Sequence, residues 1–461
     1  MRSVRDGFHA WRAVLGRPID ASSLAVFRIL FGQLMFWEVL RFVEKGRIAD
    51  CCIEPTFHFT YPFFEFVKPW PGNGMYWHFG VMALAAFGVA IGLWYRLSAI
   101  LLFLTYGHFF LIDKTHYNNH YYLILLLTLL LIGMQPHRWA SLDALRARGR
   151  STGQVPYWNL WLLRLQFCLV YFYAGVAKLN PDWLRGEPLR RWLPARANLP
   201  VIGPWLAHPQ APLLFSYGGL LFDLGIGWLL LWPRTRLVAV MASLAFHLTN
   251  TQLFSIGIFP LLMMASTVLF AEPDWARRIA GRARGWWPRR PASFRPPGDH
   301  SRLAAGRLAS PVTALFVAAY LTIQILVPLR HWLYPGNVSW TEEGHRFAWH
   351  MKLRDKEGIV LVRVTDPRTG ATAVVDLRRD LTPKQIEEMS ARPDMIWQYA
   401  RFVRRKLEAR GMRDPVVTVS ARASLNHRPF YPLIDPSVNL GAVEYPVWSP
   451  APWILPLPEE Q

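Results

Sequence analysis

The sequence predicts a polytopic α-helical membrane protein of about nine transmembrane helices that carries a C-terminal extramembrane α+β domain. Three observations lead there. Hydrophobic residues make up 52% of the 461 residues and charged ones 18%, and the apolar residues are gathered into runs long enough to cross a bilayer. The formal net charge of +20 is carried mainly by arginines in short loops and one linker between those runs, the distribution the positive-inside rule requires, with attraction to anionic lipid as a secondary effect. From residue 331 onward the long runs stop, and short β-like stretches alternate with charged residues. No basic face interleaved with stacking aromatics accompanies the positive charge, so nucleic acid is excluded as a partner.

The elements follow in order. Residues 1–20 are polar and basic (Arg2, Arg5, Arg12, Arg17), and the first span covers residues 22–42. It begins too late and runs too long for a cleavable signal peptide, so it is expected to stay as an anchor. Arg28 and Glu38 lie inside it, too far apart to pair with each other, so each is expected to find a partner elsewhere in the bundle interior. A stretch rich in Pro and aromatics (Pro55, Tyr61, Pro62, Pro69, Trp70, Pro71) reads as an interfacial segment or lid. Spans at 75–95 and 97–112 come next, then a polar cluster, then a fourth span to residue 134. A basic loop (Arg138, Arg146, Arg148, Arg150) leads to the fifth span, which ends at Lys178. Further spans cover 212–232, 237–248, 253–270 and 311–329, the last preceded by a linker, 272–310, dense in Arg and Pro.

Residues 1–330 are thus expected to form a transmembrane domain with a basic cytoplasmic linker, and 331–461 an extracytoplasmic or lumenal α+β domain. Within the latter, 359–364 and 416–419 read as strands, Asp366-Pro367-Arg368-Thr369-Gly370 as a turn, and 381–410 as one helix from Thr382-Pro383 to Gly411. The three cysteines, Cys51, Cys52 and Cys168, all precede this domain, which must therefore fold on its own core. Cys51 and Cys52 lack zinc-ligand spacing and read as packing residues.

Lys178 has two readings. Its ammonium snorkels to the headgroups, as is usual at helix ends, or it is held neutral in an apolar pocket and acts as a base. Topology favours the second. With a cytoplasmic N-terminus most loop arginines fall inside, the exception being the loop with Arg185, Arg190, Arg191 and Arg196. The Asn119-His120 cluster, the Lys178 end of the fifth span, the turn from His247 to Gln252 and the C-terminal domain then share the extracytoplasmic face. No carboxylate precedes Lys178 on its own helix face, and Pro181 makes a regular helical pair with Asp182 unfavourable.

Three segments carry a resemblance: Asp113-Lys114-Thr115 with Asn118-Asn119-His120, Ala174-Gly175-Val176-Ala177-Lys178-Leu179 followed by Asp182-Trp183, and Phe246-His247 through Asn250-Thr251-Gln252-Leu253-Phe254-Ser255-Ile256-Gly257. Together they resemble the vitamin K-dependent gamma-glutamyl carboxylases. The resemblance implies an enzyme that oxygenates vitamin K hydroquinone (menaquinol or a relative) with O2 to the epoxide. The strong base made on the way deprotonates peptidyl glutamate, which adds CO2 to give gamma-carboxyglutamate in a site closed to water. It assigns the initiating base to Lys178, with His120 and Asn119 as catalytic donors that hold the hydroquinone oxygen or stabilise a developing oxyanion. It further places His247, Asn250, Tyr173 and His331 at the cofactor, and Trp349 and Gln252 at the substrate. A glutamate-containing peptide or protein, membrane lipid and a quinone reductase for recycling are the implied partners.

The chain departs from the animal members, which have a larger C-terminal region, and with no cysteine in its own C-terminal domain it has no disulfide tying that domain to the membrane part. Its Ala-, Arg- and Pro-rich composition suggests a prokaryotic homologue, hence a bacterial inner membrane rather than an endoplasmic reticulum. Two rival functions stay open: a quinol-binding oxygenase that does not carboxylate, and a non-enzymatic membrane receptor or transporter, against which stands the lack of paired broken helices. No metal is expected, because His116 and His120 form the one helical histidine pair near the site and nothing completes it. No P-loop, nucleophile elbow or dinucleotide fingerprint is present.

Overall fold

A computed structural model describes residues 2–147, 151–200, 202–285 and 308–458. The membrane bundle is built from α2 (Ser22–Glu44), α3 (Gly74–Ile91), α4 (Tyr95–Ile112), α5 (Asn119–Gly133), α6 (Trp158–Ala177), α7 (Ala211–Leu231), α8 (Arg236–Leu253), α9 (Phe259–Ser266) and α11 (Pro311–Leu329). An N-terminal helix, α1 (Arg2–Gly16), and α10 (Trp275–Gly285) flank it, and a two-stranded ribbon of β1 (Pro18–Asp20) with β2 (Gln154–Pro156) closes one end. Among the described residues six helices are long and apolar enough to cross a membrane: α2, α3, α4, α6, α7 and the helix that begins at Pro311. The expected count of nine is therefore not confirmed. α5 is apolar but has 15 residues, α8 carries the polar run His247, Thr249, Asn250, Thr251 and Gln252, and the run at 253–270 uncoils at Gly257 (φ +60°) before a short apolar helix, Phe259–Leu269, resumes. Most of the linker 272–310 lies outside the described residues.

Sequence explains the closest packing. A Cβ on Gly32 of α2 would lie 2.6 Å from the Ala90 nitrogen and 2.8 Å from the Ala86 carbonyl of α3, so glycine lets the two backbones approach. Arg28 meets α3 at its C-terminal end, donating to the carbonyls of Val89 and Ala90 (2.8 Å each) and to that of Ala140 at 2.5 Å. Helix-end carbonyls lack intrahelical donors, and a buried guanidinium satisfies them without any carboxylate. Glu38 does not reach across the bundle as expected; it takes a bidentate pair from Arg41, three residues on, at 2.8 and 2.7 Å.

The C-terminal domain is a four-stranded antiparallel sheet in the order β4 (Thr372–Val374), β3 (Lys356–Thr365), β5 (Val416–Leu425), β6 (Tyr431–Pro432), covered by two helices. The expected turn at Asp366–Gly370 joins β3 to β4, with Gly370 at φ +70°. The single helix expected over 381–410 is two, α12 (Pro383–Ser390) and α13 (Pro393–Glu408). Pro393 has no N–H to give and restricts Arg392 to extended backbone, so the first helix stops and a second starts. A core of Val362, Val417, Val419, Met395, Ile396 and Tyr399 fills the space between sheet and helices. The aromatic stretch after the first span is a strap against this domain rather than a lid: Phe59 is buried in its core, and Thr56 and Thr60 bond Asp380 and Gln398.

Candidate functional site

Helix α6 contains no Asp or Glu, and its last turn, Ala174-Gly175-Val176-Ala177, is small and apolar. Lys178 is its C-cap. Asn180 then accepts from the Trp183 N–H (3.0 Å) and starts a new short helix at Pro181, which turns Asp182 away from Lys178. Asp182 instead receives Arg428 on both oxygens (2.6 and 2.9 Å) and Asn426 at 2.7 Å, from the end of β5. Lys178 itself is 6% exposed. Its Nζ donates to Asp223 Oδ2 at 2.6 Å and to the Ala174 carbonyl at 3.3 Å, and lies 5.1 Å from the Trp183 ring centre. The expectation of an amine without a carboxylate holds for its own helix and fails for the next. Asp223 comes from α7, and the approach depends on Gly175, where a Cβ would fall 2.9 Å from the Leu224 nitrogen.

This pair forms part of the lining of a cavity of about 100 Å³. The remainder is mostly apolar: Val170, Phe215, Phe246, Phe254, Ile256, Phe259 and Met351, with Tyr171, His247, Asn250 and Lys352 as polar groups. His247 is 1% exposed; its Nε2 meets the Tyr171 hydroxyl at 2.7 Å, which also meets Ser243 at 3.2 Å. Its Nδ1 is buried with no hydrogen-bond partner among the described residues. A flat aromatic molecule with oxygen substituents suits such a lining: rings on its walls, with an amine, an imidazole and an amide among its polar groups.

The structure brings Lys178, His247 and Asn250 to one cavity and leaves the other expected residues off its lining. Asn119 donates to the His350 carbonyl at 2.8 Å and accepts from Tyr117 at 3.1 Å, while the Tyr117 oxygen accepts the Phe347 N–H at 2.6 Å. It thereby fixes the segment 347–352, which supplies Met351 and Lys352 to the cavity. His120 lies behind Phe259, whose ring centre is 6.2 Å from both His120 and His247. Its Nε2 and Arg41 both face Gly257, where a Cβ would sit 3.4 Å from each. Tyr173 donates to the Ile325 carbonyl on α11 (2.7 Å), and His331 holds the Pro328 carbonyl (2.8 Å) and stands edge-on to His350. Trp349 is fully buried against Tyr122, and Gln252 is exposed on α8. Burial first, then the neighbouring His331, lowers His350 to about 3, which leaves its ring uncharged at neutral pH. Among the described residues no cluster of His, Cys, Asp and Glu could hold a metal ion.

Asp223, Trp183, Met351 and Lys352 were missed from sequence. A lone aspartate inside an apolar span is itself a signal, since such a group requires a partner.

Two family profiles match the chain, one described as the HTTM domain over residues 16–275 and one as the vitamin K-dependent gamma-carboxylase lumenal domain over residues 309–460. No solved structure matches it.

Proposed function

Because the chain belongs to the vitamin K-dependent gamma-carboxylase family, we propose that it is a membrane peptidyl-glutamate carboxylase driven by oxygenation of vitamin K hydroquinone. The observation that carries the reading is the buried Lys178 amine on the wall of an apolar cavity that His247 and Asn250 also line. Bound hydroquinone, by reacting with O2, supplies a base strong enough to take a glutamyl γ-proton, after which CO2 adds to the carbanion.

The chain's own residues prepare that chemistry. Lys178 Nζ accepts the first hydroquinone proton, which a base can do only within hydrogen-bond reach. His247 and Asn250 orient the ring oxygens, and Phe246, Phe254, Ile256 and Phe259 exclude water that would quench the base. Asn119 acts through the segment 347–352, and His120 lies one ring behind the cavity, beyond Phe259. The cavity and the C-terminal domain face the lumen or the bacterial periplasm, a glutamate-containing peptide is the substrate, and a separate quinone reductase recycles the epoxide.

The test is hydroquinone-dependent incorporation of labelled CO2 into a Glu-containing peptide, with epoxide measured in parallel. Wild type is expected to yield both products and Lys178→Ala to lose both by at least about 100-fold. Epoxide without carboxylated peptide would make the protein an oxygenase only, and binding without O2 consumption a receptor.

A further inference from the structure

Lys178 cannot take a proton while it carries one as the ammonium of an ion pair, and the structure gives it a carboxylate partner at 2.6 Å. We propose that Asp223 is the internal proton acceptor that converts Lys178 from ammonium to free amine when hydroquinone displaces water from the cavity. This rests on the carboxylase reading above, and Asp223 acts through Lys178 rather than on the substrate.

The argument begins with the medium. Both residues are buried to the same degree, 6% exposed, between two apolar helices. The small part of each that stays accessible belongs to the cavity lining, where the ammonium–carboxylate pair keeps its last solvation. Filling the cavity with an apolar ring removes that solvation, and in a dry apolar medium desolvation of two charges can exceed their mutual attraction. The pair then relaxes along the existing hydrogen bond: the N–H bond of Nζ breaks, an O–H bond forms on Oδ2, and the electron pair stays on nitrogen. No proton leaves the protein, and the net charge of the pair remains zero. The free amine next takes the hydroquinone O–H proton, leaving that bond's electrons on the ring oxygen, and Asp223 returns its proton to water when product leaves.

The surroundings support this direction. Groups that face Lys178 are Asp223 on α7, His247 on α8 with Tyr171 behind it on α6, and His350 and Lys352 on the segment 347–352. Asp182 is committed to Arg428 and Asn426. Asp223 is thus the one carboxylate placed to receive the proton among the described residues lining the cavity. The dependence on occupancy also has a use. Lys178 becomes a base only beneath its substrate, so the strong base is not generated in an open, wet site.

The proposal makes the acid side of the pH–rate profile diagnostic. In wild type the amine is freed without giving a proton to solvent, so epoxidation is expected to stay level as pH falls through neutrality. In Asp223→Asn the proton has to leave to solvent, so the acid limb should move to higher pH, with epoxidation at neutral pH down by at least about tenfold and recovered on raising pH. Asp223→Glu should keep the wild-type limb. Independently of turnover, oxygen-free addition of vitamin K hydroquinone to wild type in lipid nanodiscs should produce a protonated-carboxyl infrared band that shifts with labelled aspartate. A rate lowered equally at every pH, a limb moved to lower pH, or no such band in wild type would each overturn the role of Asp223. Wild type that binds hydroquinone and shows the band but forms no epoxide would overturn the carboxylase reading instead.

Discussion

The His247 ring shows how one hydrogen bond sets what the cavity presents. Nε2 is 2.7 Å from the Tyr171 hydroxyl, and Ser243 is the next atom in that chain. With Tyr171 donating to Nε2, the proton of the neutral ring resides on Nδ1, and the ring is held in one orientation in the cavity wall. Tyr171→Phe keeps the aromatic wall and removes only this constraint. A net hydrogen bond is worth about 1 kcal/mol, so the KM for hydroquinone should rise about fivefold with kcat nearly unchanged. Steady-state epoxidation measures both. A fall in kcat at constant KM would mean that the hydroxyl serves the chemical step rather than ring orientation.

Among elements, the contact that decides the site is α6 against α7. Alanine is favoured over glycine inside a helix by about 1 kcal/mol, so Gly175→Ala should stabilise α6 taken alone. In the bundle its Cβ would meet Leu224 at 2.7 Å from the side chain and 2.9 Å from the backbone nitrogen, closer than packed atoms tolerate. Overpacking of this kind costs about 1–3 kcal/mol. The clash outweighs the propensity, and because α7 carries Asp223 next to Leu224, the Lys178–Asp223 bond lengthens. The variant should therefore melt lower and lose epoxidase activity together, whereas Gly225→Ala on α7, which has open space around it, should do neither. The same pair shows what was legible in sequence. Lys178 was readable because one polar residue closes an apolar run. Asp223 is 45 residues away on another helix, and no periodicity within α6 reports which face of α7 meets it. His247 and Asn250 were legible from their motif, but the fact that Asn119 serves the segment 347–352 depends on a bond across 231 residues. The helix break at Pro393 was readable, since proline cannot continue a helix from Arg392, yet the surrounding apolar periodicity masked it.

On the scale of the whole molecule, the C-terminal domain completes the cavity, because Met351 and Lys352 line it from the segment that leads into β3. Docking rests on charged contacts that cross between the two parts. Asp182 is clasped by Arg428 and Asn426, Asp113 accepts from Gln385 at 2.8 Å, and Asp394 at the start of α13 holds Lys114 across the boundary at 2.7 Å and, within its own domain, Arg346 at 2.8 Å. Burial pushes the Asp394 carboxyl up, but Arg346 and Lys114 together outweigh burial and hold it well below the usual carboxylate range. A depressed carboxylate contributes stability that is fully present above the unfolded value of about 3.9 and is lost as pH falls below it toward the folded value. Acid should therefore release the docked domain before the bundle unfolds, seen as loss of protease protection at the strap residues Phe57 to Tyr61 while helical circular dichroism persists. Asp394→Asn should reproduce that release at neutral pH, since it leaves Lys114 and Arg346 buried without a counter-charge, at a cost of about 3–5 kcal/mol. Its epoxidase activity should fall although Lys178, Asp223 and His247 are untouched, and full activity in the variant would show that the cavity forms without the docked domain.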